Sequence, residues 1–172
     1  MKISLRQIGN IDSSIMEELK GKVKGIFGCP VKIKLGIDSL EHAYDLKGKQ
    51  YLAPVLISLI NSLERERDEK VVGIADVDLY APRLNFVFGE ADILSGTAIV
   101  SLCRLRQEYY GLPPDKALFI ERAIKEIVHE LGHIFGLNHC PNAKCVMHFS
   151  NSLADTDYKQ ATFCSKCYPK II

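Results

Sequence analysis

Neither sign of charge dominates this 172-residue chain: 22 Lys and Arg stand against 21 Asp and Glu, for a formal net charge of +1. That balance leaves no electrostatic footprint for nucleic acid or for an anionic membrane. Any apolar run of membrane-spanning length is also missing. The opening stretch MKISLRQIGNI is interrupted by Arg6 and Gln7, so it reads as a strand and not as a signal peptide. An intracellular, cytoplasmic location is the expectation. In that compartment six cysteines are expected as thiols or metal ligands before disulfides. Internal repeats and low-complexity tracts are absent as well.

What is present is an ordinary globular composition, 47% hydrophobic and 25% charged, over a length that suits one domain, residues 1–172. KISLRQI reads as a strand, DSSIMEELKGKVKGIFG as an amphipathic helix capped by Asp12 or Ser13 and ended by Gly28, and VKIKLGI as a half-buried strand. After a turn-prone stretch around Asp45 to Gln50, LAPVLISLINSLERERDEK reads as a second helix with a charged exit. VVGIADVDLY, LNFVFGEA and TAIVSLCRL read as three strands. The order predicts an α/β (α+β) fold, a mixed twisted sheet with helices packed on it.

The strongest helical pattern follows Pro113-Pro114 and covers about residues 115–135. Ile120, Ile124, Ile127, Leu131 and Ile134 form its apolar stripe, Asp115 its cap and Gly136 its stop. His129 and His133 stand four apart on it, about 40° apart around the axis, so both imidazoles leave one face. Gly136 lets the chain double back and return His139. Three neutral imidazoles with a fourth position open to water are the arrangement of a catalytic zinc. HExxH alone also occurs on ordinary helices, but the full HExxHxxGxxH is far more specific. The parts imply a zinc-bound water activated by Glu130, attacking a peptide carbonyl, with Glu130 passing the proton to the leaving amine.

Cys140 and Cys145 form C-x4-C, and Cys164 and Cys167 form C-x2-C. Two close pairs of thiolates suit a closed structural zinc site that contributes folding energy. Two disulfides, unrelated thiols, iron–sulfur ligation and a redox pair are the competing readings, and closed zinc is preferred to them. Beyond Cys140 the apolar periodicity disappears, so a zinc-anchored C-terminal subdomain, residues 140–172, is expected beside an α/β subdomain, residues 1–139. Two zinc ions per chain, one catalytic and one structural, are the expected cofactors. Cys29 and Cys103 read as buried thiols.

HELGHIFGLNHC, the following KCVM and the later FCSKC resemble the archaemetzincins, a branch of the metzincin zinc metallopeptidases. The sharp likeness spans Glu126 to Cys167, with a looser one over VDLYAPRLNFVFGEAD. The resemblance implies His129, His133 and His139 on a catalytic zinc, Glu130 as base, and Cys140, Cys145, Cys164 and Cys167 on a second zinc. It makes Met147 the Met-turn methionine, an apolar floor beneath the histidines. Where several metzincins carry a tyrosine two residues beyond that methionine, this chain has Phe149. His148 reads as a surface residue or as one that supports the ligands from behind. LNFVFGEA is implied as an edge strand above the cleft, able to pair with an extended peptide; a plain buried strand is the equal alternative. Asp76, Asp78, Glu90 and Asp92 read as turn and solvent residues, not as a calcium site.

The expected function is a zinc metallopeptidase acting on peptides or small proteins, monomeric by default. A catalytically silent zinc protein that binds peptides or a partner is the alternative. A nucleic-acid finger is disfavoured by the charge balance and by Lys159 being the lone Lys or Arg between Cys145 and Cys164.

Overall fold

The computed structural model describes residues 1–171. β1 (Lys2–Ile8), α1 (Ser13–Phe27) and β2 (Val31–Leu35) open it as a strand–helix–strand unit. Asp12 caps α1 by accepting from the Ser14 N–H at 2.7 Å. Gly28 closes it in the left-handed region, at φ 62°. β3 (Tyr44–Asp45) and β4 (Gln50–Leu52) form a small hairpin where the sequence predicts only a turn.

α2 covers Ala53–Asn61, far less than the helix expected from the sequence. None of residues 61–68 is buried, so the charged run gains no packing from a helix. Glu69 and Lys70 instead begin β5 (Glu69–Ala75). Four strands follow: β6 (Leu79–Ala81), β7 (Leu84–Val87), β8 (Gly89–Asp92) and β9 (Thr97–Ser101). VVGIADVDLY is thus two strands. At the break between them Asp76 pairs with Arg106 at 2.8 Å and Asp78 grips Arg104 with both carboxylate oxygens, at 2.6 and 2.8 Å. The sequence makes these two aspartates turn and solvent residues; they do stand at the break between strands, but each is an ion-pair partner. α3 (Lys116–Ile134) and α4 (Leu153–Tyr158) complete the set.

The main sheet runs β2-β1-β5-β9-β8, parallel except for β8, which pairs antiparallel with β9 at its edge. Alternation along the strands divides the core. Leu5, Val72, Ile74 and Val100 join the cluster with α1 and α3, while Val71, Ala75 and Ile99 join α2 on the other face. A sheet covered on both faces explains why the central strands read as near-continuous apolar runs. A second sheet, β3-β4-β6-β7, has β7 at its edge. LNFVFGEA therefore divides at Phe88 and supplies an edge strand to each sheet. Among the described residues no helix is long and apolar enough to cross a membrane.

Candidate active site

α3 is built as its sequence pattern implies. Asp115 accepts from the Leu118 N–H at 2.9 Å to start it. Beyond its end Gly136 takes φ 86°, and the Leu137 N–H closes back on the Gly132 carbonyl at 2.9 Å. That reversal brings His139 back beside His129 and His133. One ligand atom from each of the three lies within 4.8 Å of the others.

The outer nitrogens decide the tautomers. His129 Nδ1 faces the Val146 carbonyl at 2.7 Å, and His133 Nδ1 faces the Leu137 carbonyl at 2.7 Å. A carbonyl only accepts, so each Nδ1 carries the proton and each Nε2 is a bare lone pair. Those two Nε2 atoms converge to 3.1 Å. Two lone pairs aimed at one point repel unless a cation lies between them. Ligands about 2.0–2.1 Å from a tetrahedral zinc are about 3.3–3.4 Å apart, so the donor set fits that ion. Burial holds His129 well below its ordinary 6.5 and lowers His133 and His139 too, which keeps the imidazoles neutral.

Glu130 is buried in the wall of a cleft of about 720 Å³ that the three histidines also line. Burial, reinforced by the neighbouring Glu126 carboxylate, raises its proton affinity well above the usual carboxylate range. Gly89, at the start of β8, lies directly over it. A Cβ there would stand 2.7 Å from Glu130 Cγ and Oε1. Phe86 and Phe88 line the same cleft in edge-to-face contact, 5.2 Å between ring centroids. Phe149 lays its ring 4.9 Å from that of His139.

Met147 is fully buried, and a Cβ on Gly132 would come within 2.2 Å of its sulfur. Only a glycine between His129 and His133 lets this methionine pack so closely beneath the helix. His148 turns its Nδ1 to the Cys140 carbonyl at 3.0 Å and takes no place among the clustered ligand atoms.

The four cysteines converge as a separate cluster, their Sγ atoms within 4.8 Å of one another. Cys140 and Cys164 are 3.8 Å apart at sulfur and all six cysteines are free thiols. A disulfide needs about 2.05 Å. Four sulfurs about 2.3 Å from one tetrahedral zinc stand about 3.8 Å apart. The set fits a single closed ion. Burial works against ionising Cys164, but the N–H groups of Lys166 and Cys167 and the Cys145 and Cys167 thiols outweigh it and bring Cys164 to about 6. Cys29 is buried as expected; Cys103 is only half-buried, with its thiol pushed up to about 11 by burial and then by Asp78.

A sequence model described as Peptidase family M54 matches residues 7–172. The chain belongs to that family. An archaemetzincin of Pyrococcus furiosus is 46% identical over 170 residues, 95% of this chain and 88% of that one. The crystal structure of an archaemetzincin from Methanopyrus kandleri is similar with a TM-score of 0.87 and 41% identity, covering 99% of this chain and 93% of that one. A zinc-dependent peptidase from Methanocorpusculum labreanum is similar with a TM-score of 0.91 and 30% identity, covering 99% of this chain and 100% of that one. The archaemetzincin resemblance read from the sequence is thereby established, and the chain is a metallopeptidase.

Two features of this M54 site escape the sequence. Gly89 carries no signal there of its contact with Glu130. Lys159 enters the sequence reading only as the lone Lys or Arg between Cys145 and Cys164, yet it is 1% exposed and pairs with Glu126 at 3.0 Å.

Proposed function

We propose that His129, His133 and His139 hold one zinc ion, that Cys140, Cys145, Cys164 and Cys167 hold a second, and that Glu130 is the general base of peptide hydrolysis. The carrying observation is the convergence of two deprotonated imidazole nitrogens, with a third imidazole, beside a buried carboxylate in one cleft. Zinc at the histidines supplies Lewis acidity, lowering the proton affinity of water and polarising a carbonyl. Glu130 takes the proton from the attacking water and delivers it to the leaving amine. Its raised proton affinity suits the first transfer, and its burial keeps bulk water from intercepting the proton.

The substrate is an extended peptide or a small protein. β8 pairs with β9 at the edge of the main sheet, and β7 pairs with β6 at the edge of the second. Such an edge takes an added strand by main-chain hydrogen bonds. The cysteine ion fastens the tail and stays away from the reaction. A cluster of thiols arranged for metal suits a reducing compartment, which supports the cytoplasm as the location.

The test is mass-spectrometric detection of cleavage in a diverse peptide mixture by zinc-loaded wild type and by Glu130→Gln. A loss of about 10²–10⁴-fold in the variant is expected. Equal cleavage by both would remove Glu130 from the role. Cleavage by neither, with zinc bound, would favour the silent binding protein.

A further inference from the structure

Lys159 is a buried cation that belongs to neither ligand set, and it lies where three parts of the site meet. Its Nζ reaches Glu126 Oε1 at 3.0 Å and the His148 carbonyl at 3.4 Å. Glu126 stands one turn before Glu130 on α3, and its Oε1 also accepts from Thr156 Oγ1 at 3.0 Å. His148 directly follows Met147, in the turn whose Val146 carbonyl orients the His129 ring at 2.7 Å. One ammonium group therefore ties the helix that carries the histidines to the turn that aims the first of them.

The segment bearing Lys159 is itself fastened around the cysteine cluster. The Gln160 N–H donates to the Lys144 carbonyl at 3.0 Å, and the Val146 N–H donates to the Thr162 carbonyl at 3.0 Å. α4, just before it, is clamped to α3 by Arg122, which holds Asp157 at 2.6 and 2.7 Å. A buried ammonium is costly unless paired, and an apolar side chain of the same length would fill this space more cheaply. Retaining the charge makes sense where its two contacts set a geometry.

We propose that Lys159 is a positioning residue for the histidine site, holding α3 and residues 145–148 in the relation that lets Val146 orient His129. The inference rests on the zinc reading of the three histidines. Its test reads metal affinity without substrate, so its failure is distinguishable from a failure of Glu130 as base.

The experiment is chelator competition on the zinc-loaded full chain, comparing wild type with Lys159→Met. Cobalt replacement assigns the two sites, since thiolate ligation gives an intense near-ultraviolet charge-transfer band that imidazole ligation lacks. Loss of an orienting contact behind a ligand typically weakens a site about 10–100-fold. That weakening is expected at the histidine site alone. The double variant Glu126→Gln/Lys159→Met strands no charge and guards against a misfolded single variant; it is expected to weaken the same site. Wild-type affinity at the histidines in Lys159→Met, equal weakening at both sites, or recovery in the double variant would each overturn the proposal.

Discussion

From Lys116 to Ile134 a single helix buries 14 of its 19 residues. From Cys140 to Ile171 only seven of 32 are buried: Cys140, Cys145, Val146, Met147, Thr156, Lys159 and Cys167. The helix is held by an apolar stripe against the sheet, an interaction that is non-directional and spread over many contacts. Most of the tail's buried residues are thiols, a cation and a hydroxyl, groups whose contacts are few and directional. A region of the first kind tolerates the loss of one member. A region of the second kind fails as a unit, because each buried polar group is costly once its partner is gone.

The largest expected break in this comparison is Cys164→Ser/Cys167→Ser. A structural zinc site contributes on the order of 10 kcal/mol to folding its own segment. Amide protection across residues 140–171 should collapse in hydrogen-exchange mass spectrometry while the central strands keep theirs. Unchanged protection in the tail would mean that its clamps to α3 suffice without the metal.

A smaller effect probes the seam between the regions. Gly132→Ala would ordinarily favour a helix by about 1 kcal/mol. Here the new methyl meets Met147 Sδ at 2.2 Å and Phe163 at 3.1 Å. Overpacking of this kind costs about 1–3 kcal/mol. The thermal midpoint should therefore fall; a rise would show that the turn gives way freely.

Acid sharpens the contrast further. Protons compete with metal only below the proton affinity of the free ligand. The histidines lie below 6.5, so histidine-site affinity should stay level as pH falls from about 8 to about 6.5 and decline only beneath that. Cys145 and Cys167 are raised above 9.0 by burial, so cysteine-site affinity should already decline throughout that range. Equilibrium dialysis at several pH values checks the difference, and parallel slopes would erase it.

The smallest effect is a matter of rate. In the metal-free chain Cys164, at about 6, is largely thiolate at neutral pH, whereas Cys103 is pushed up to about 11. Iodoacetamide should label Cys164 first and zinc should protect it, as read by peptide mass spectrometry.

The two regions were unequally legible in the sequence. In α3 the offsets of His129, Glu130 and His133 translate directly into angles, so cap, stripe and the clustering of candidate ligands could be read together. Cysteine spacing carried similar information for the second cluster. Lys159 and Arg122 could not be read as buried, because their carboxylate partners, Glu126 and Asp157, lie more than 30 residues away. Lys125 pairs with Glu121 one turn back, but its contact with the Asp157 carbonyl depends on how α4 docks. The tail looked unpatterned, yet Val146 and Met147 enter the main core and Thr156 reaches Glu126. The break at Phe88 was hidden for a related reason: alternation specifies a strand but not which sheet it joins.

His139 and Cys140 are consecutive, and the Cys140 N–H is fastened to the Met147 carbonyl at 2.9 Å. One peptide bond therefore separates a candidate ligand of the histidine cluster from a pinned residue of the cysteine cluster. Between Gly136 and Cys140 the chain is tethered at both ends, by a helix and by the cysteine cluster. His139 consequently searches a small volume, and its effective concentration near the helical histidines is high before any ion arrives. On the two-zinc reading proposed above, filling the thiolate cage first would leave less conformational entropy to lose when the imidazole cage closes, so the two ions would load in a preferred order.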